Sequence, residues 1–124
     1  MTYYVDRFYA AVTTLACDGH IKQRLIRAYT DNLLAIEDDE LPIELKETFA
    51  DLKRQMHIVA PLNGEGAIRG SVRKMSAREA SECAKSVVYL YRELLRREDS
   101  AQGTLSLSGD EAEVVPPFLV KSLS

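Results

Sequence analysis

The sequence predicts an all-α protein: an antiparallel bundle of four main helices plus one short helix, with an extended C-terminal tail. Three observations predict it. Apolar residues recur at steps of three and four almost without a break from Val5 to Leu95. No useful stretch of period-two alternation interrupts them. The connections between periodic stretches are short, which favours antiparallel neighbours. A length of 124 residues fits one domain. The expected division is a helical body over 1–99 and a flexible tail over 100–124. A body of that size buries a core without staples.

The first helix is expected from about Thr2 to Ala16, with Val5, Phe8, Val12 and Leu15 on one face and Gly19 as its stop. The second is expected from about His20 to Ile36. Its stripe is Ile21, Leu25, Tyr29, Leu33 and Ile36, and Lys22, Arg24 and Arg27 are expected to face water. Pro42 suits the first turn of a third helix, where a missing N–H costs nothing. Leu45, Phe49, Leu52, Met56 and Val59 form a narrow seam of the coiled-coil kind, and Pro61 ends the helix. Asn63-Gly64-Glu65-Gly66 is a strong turn signal.

A short fourth helix is expected over Ile68 to Met75, weakened by Gly70. Ser76-Ala77-Arg78-Glu79 fits a capping box and opens a last helix to about Glu98. Its apolar residues cover more than half its circumference, which predicts a central position with several neighbours. Arg92, Arg96 and Arg97 suit the negative end of its dipole.

Charge and composition exclude several classes. Net charge is −3 and charged residues make up 28% of the chain, so the basic excess of a dedicated nucleic-acid binder is absent. Phe8 to Cys17 is far too short to span a bilayer, and the first residues lack the pattern of a secretory signal. Two distant cysteines, Cys17 and Cys83, make no disulfide framework. These features predict a cytoplasmic protein with reduced thiols and no membrane partner.

Four constellations could carry chemistry. Cys17, His20, His57 and Cys83 contain one zinc-like half-site, Cys17-x-x-His20, but the other two lie far apart, so no metal is expected. Glu37, Asp38, Asp39, Glu40, Glu44, Glu47 and Asp51 crowd acids around a helix start. They lack the alternating ligands and central Gly of a calcium loop, and they suit the helix dipole. Arg69, Arg73, Lys74 and Arg78 lie in an acid-free stretch from Gly66 to Arg78 and are the candidate anion-binding residues. The glycines there are one residue too widely spaced for a dinucleotide fingerprint, and no Gly-Lys-Ser/Thr follows. A basic patch balancing the acidic one accounts for the same residues.

The tail is the fourth. Ser100 to Glu113 has the composition of a solvated linker. Val114, Val115, Pro116, Pro117, Phe118, Leu119 and Val120 then form an apolar run whose Pro-Pro pair favours an extended shape. This is the candidate partner-binding segment, docking on another protein or on an exposed strip of its own body.

No catalytic or cofactor motif is present: no G-x-S-x-G occurs, and the serines lie in caps or in the tail. The expected function is a small non-catalytic helical interaction module, an adaptor or regulator without a cofactor. Its partner is another protein, and self-association is expected from the apolar surplus of the third and last helices. The alternative is an anion- or nucleic-acid-associated regulator using residues 66–78. The overall acidity argues against nucleic acid as a partner.

Overall fold

The computed structural model describes residues 2–59 and 66–109, with side chains described as far as Glu98. The described residues form an all-α structure: α1 (Thr2–Leu15), α2 (Ile21–Asn32), a single 3-10 turn (Asp38–Glu40), α3 (Ile43–Met56), α4 (Ala67–Arg73) and α5 (Ala77–Gly109). Among them no helix is long and apolar enough to cross a membrane. The chain divides into two compact units, 1–94 and 95–124. The first holds the core. The described part of the second is the helical stretch 95–109.

α1 and α2 form an antiparallel hairpin held by reciprocal arginine capping. Arg7, early in α1, donates to the carbonyls of Asp31 (2.7 Å) and Asn32 (3.1 Å) at the end of α2. Arg24, early in α2, donates to Leu15 O (2.5 Å) at the end of α1 and to Gly19 O (2.9 Å) in the connection. A helix leaves its last four carbonyls without intrahelical donors, and a guanidinium supplies several N–H groups in a fixed fork. Gly19 makes the connection at φ 108°, a left-handed conformation that favours glycine.

Phe8, Tyr29 and Phe49 are the largest fully buried side chains, joined by Leu25, Leu33, Ile36, Leu45, Leu52 and Met56. The Phe8 and Phe49 rings meet edge-on at 5.6 Å, linking α1 to α3. α2 packs on α4, and α3 packs on both α4 and the 3-10 turn. α5 reaches α3 through Cys83 Sγ, which donates to Gln55 Oε1 at 3.2 Å. It reaches α1 through the Tyr9 and Tyr91 rings, 5.8 Å apart. The α5 cap forms as expected: Glu79 N–H donates to Ser76 Oγ (3.0 Å), and Ser76 N–H donates to Glu79 Oε1 (2.7 Å).

Several expectations need correction. α2 ends at Asn32, short of Ile36, yet Leu33 and Ile36 are still buried because a tight turn carries them inward. Lys22 and Arg24 are half-buried and bond to carbonyls of other elements, whereas Arg27 faces water. Pro42 sits at the N-cap of α3, one residue before the first turn. α3 stops at Met56, because Ile58 and Val59 are β-branched and the Val59 N–H leaves the helix for Ser71 Oγ at 2.9 Å. The buried stripe of α5 is a narrow seam of Ala80, Cys83, Val87, Leu90 and Leu94, with Val88 and Tyr89 exposed, so its apolar face is not wholly covered.

The last helix also continues to Gly109, past Glu98, where the sequence reading has a linker. Ser100 to Gly109 contains no proline, and extending an existing helix costs far less than nucleating one. Pro61, the 63–65 part of the turn signal and the Val114–Val120 segment lie outside the described residues.

The capping contact carries a testable cost. Arg24→Ala is expected to lower unfolding free energy by about 2 kcal/mol, the range for charge-assisted bonds to partly buried carbonyls. Arg27→Ala, on the same helix but facing water, should change it by less than about 0.5 kcal/mol. Urea unfolding followed by circular dichroism measures both.

Candidate functional site

A groove of about 380 Å³ lies between α2, the turn after α3 and the start of α4. The outward face of α2 and its following turn supply Ile26, Arg27, Thr30, Asp31 and Leu34. These fall at helical spacing beside the buried stripe. His57 comes from the end of α3, and Ala67, Ile68 and Arg69 come from α4. Gly66, which precedes α4, has φ 78°, so the chain enters the helix through a left-handed turn. A smaller cavity of about 150 Å³ adjoins it, sharing Ile26, Arg27 and Arg69 and adding Gln23.

The lining divides by chemistry. Ile26, Ala67 and Ile68 are half-buried and Leu34 is 40% exposed, giving an apolar surface open to solvent. Arg27, Thr30, Asp31, His57 and Arg69 are all exposed. Neither Arg27 nor Arg69 has a hydrogen-bond or ion-pair partner among the described residues. In this they differ from Arg7, Arg24, Lys22 and Lys53, which all bond to carbonyls of the body. The volume falls within the range of ordinary ligand and peptide pockets.

The groove touches the core at one polar point. The Tyr29 hydroxyl lies 3.0 Å from His57 Nε2, and the rings meet edge-on at 5.7 Å. Tyr29 is wholly buried while His57 is exposed, so the imidazole covers the only polar atom of that core side chain. Burial pushes the Tyr29 phenol up to about 12, because the phenolate would lose its hydration there.

The sequence-derived candidates are not gathered into one place. Arg69 lines the groove. Lys74 lines a separate cavity with Gln55, Ile58, Ser71, Met75 and Glu79, so the lining of that cavity includes an acid. Arg73 and Arg78 are exposed, and the Arg73 carbonyl accepts a hydrogen bond from Lys22 Nζ at 3.1 Å. The segment Val114 to Val120 lies outside the described residues. Among the described residues, no group of three or more His, Cys, Asp and Glu stands together to hold a metal ion.

Cys17 is exposed, whereas Cys83 is buried. Burial, with Glu79 and Glu82 nearby, raises the Cys83 thiol, which keeps it protonated and a poor nucleophile. In the acidic cluster, Tyr4 donates to Glu40 Oε1 at 2.6 Å and the Glu37 N–H donates to Oε2 at 3.1 Å. Both bonds hold the Glu40 carboxyl below the usual range, the tyrosine contributing most. Asp51 pairs with Arg54.

Sequence reasoning missed Ile26, Arg27, Thr30, Asp31 and Leu34 as a surface. The signal was present: Ile26 and Leu34 are apolar yet lie off the core stripe, one helical face away from it. No family model, curated protein sequence or solved structure matches the chain.

The Tyr29 environment predicts an alkaline transition. Its folded-state pKa lies above the unfolded value of about 10, so the group's contribution to stability is complete below that pH. The contribution is lost as pH rises through about 12. Ultraviolet titration should show one tyrosine ionising near the higher value, and that step should vanish in Tyr29→Phe.

Proposed function

We propose that this protein is a small non-catalytic helical interaction module, an antiparallel bundle of four main helices working as an adaptor or regulator in the cytoplasm. It engages a segment of another protein in the α2/α4 groove. One observation carries the reading: an open apolar lining flanked by Arg27 and Arg69, which the fold itself does not engage. Apolar surface gathered in a concave, polar-rimmed site marks an interaction surface. The two free thiols agree with a reducing compartment.

A second reading is association with phosphate or nucleic acid through Arg69, Arg73, Lys74 and Arg78. Its support is that all four are exposed. Against it, Glu79 shares the Lys74 cavity and Asp31 shares the groove with Arg69, so neither site is purely basic. The further expectation of self-association rests on exposed Tyr9, Val88 and Tyr89, and sedimentation equilibrium tests it.

Selection of displayed random peptides on the immobilised full chain tests the first reading. Selected peptides should lose binding to Leu34→Glu, a change at an exposed position that the fold tolerates. They should shift backbone amide signals in 26–34 and 66–69. Peptides that bind Leu34→Glu equally well would count against the groove.

A further inference from the structure

We propose that the groove recognises an acid-led apolar peptide, a short acidic lead of one to three carboxylates followed by a run of apolar residues, with Arg27 and Arg69 as the clamp on the acid. This rests on the interaction-module reading and adds the chemistry of the partner.

Two arginines, Arg27 and Arg69, face the groove. They arrive from separate helices, yet both line the groove and its adjoining smaller cavity. Like charges brought to one place repel, and a carboxylate between them turns that repulsion into charge-assisted hydrogen bonds. The smaller cavity is lined by Gln23, Ile26, Arg27 and Arg69, with no acid among them. The larger one continues past Asp31 toward Leu34 and Ile68. A bound carboxylate is therefore favoured at the Gln23 end and repelled at the Asp31 end, while the apolar residues cover Ile26, Ile68 and Leu34. This gives the peptide an order as well as a composition. A polyanion fits less well, because its further charges would meet Asp31 and an apolar wall.

The chain itself contains an instance of this chemistry. Asp110-Glu111-Ala112-Glu113 directly precedes Val114 to Val120. A synthetic peptide of residues 110–120 is therefore the probe, labelled at one end and titrated with the full chain by fluorescence anisotropy. Saturable binding is expected, weakened about tenfold or more by Arg27→Glu or Arg69→Glu, as loss of charge-assisted bonds implies. Arg78→Glu, exposed on another helix, should change affinity by less than about twofold. A probe with Asn and Gln in place of its three acids should bind as weakly as the arginine variants allow.

Binding that emerges only when Asp110→Asn, Glu111→Gln and Glu113→Gln are placed in the full chain would support the same chemistry, with the chain's own segment as competitor. Affinity unchanged by both arginine reversals but lost in Leu34→Glu would overturn the acid-led peptide and leave the interaction groove standing. Affinity indifferent to all three variants would overturn both. Displacement of the probe by a single-stranded oligonucleotide would assign the arginines to nucleic acid instead. Circular dichroism of each variant confirms that it is folded before its affinity is read.

Discussion

The carbonyl groups that end α1 and α2 must find donors inside the fold, and each helix receives them from an arginine of the other. Arg7 serves Asp31 and Asn32, and Arg24 serves Leu15 and Gly19. A pair of helices held at both ends cannot slide by a turn without breaking one clasp. The rotation of α2 is therefore set: Leu25, Ala28 and Tyr29 point inward, and Ile26, Arg27 and Thr30 point outward. The position of the groove follows from that rotation. α4 completes it, joined to α2 by Lys22 at the Arg73 carbonyl and to the turn after α3 by Ser71 at the Val59 N–H.

Two sets of polar side chains consequently stand apart. One set closes backbone ends and joints: Arg7, Arg24, Lys22, Lys53, Ser71 and the Ser76–Glu79 box. Each satisfies a group that would otherwise lack a partner. The other set rims the groove and engages nothing in the body. His57 stands between the two sets, covering the Tyr29 hydroxyl from the solvent side. A substitution in the first set removes a bond that holds the fold, and one in the second removes none.

Charge is distributed with the same economy. Asp38, Asp39, Glu40 and Glu44 lie in the first turns of the 3-10 helix and of α3, where helix N–H groups favour negative charge, and Asp51 pairs with Arg54 further along α3. Glu40 is held by Tyr4 from α1, so this cluster also ties the first helix to the turn before the third. The cluster has a structural account, whereas the arginines of the groove do not. The apolar excess of α5 has only a partial one: its seam is buried, while Val88 and Tyr89 remain exposed.

Much of the architecture was legible in residue order. Period and caps revealed the helical class, the core stripe Val5, Phe8 and Leu15, the seam Leu45 to Met56, the Gly19 stop and the Ser76 box, because each depends on neighbours within a few residues. Less was legible at the ends, where α2 and α3 finish in contacts with distant partners such as Arg7 and Ser71. Of the groove, only the off-stripe apolar pair Ile26 and Leu34 was legible. Arg24 and Arg27 are the same residue type three positions apart on one helix, and local sequence treats them alike. Only packing against α1 on one side and α4 on the other decided that the first closes a helix end and the second faces an open groove, because long-range contacts choose which of two equivalent cations finds a carbonyl.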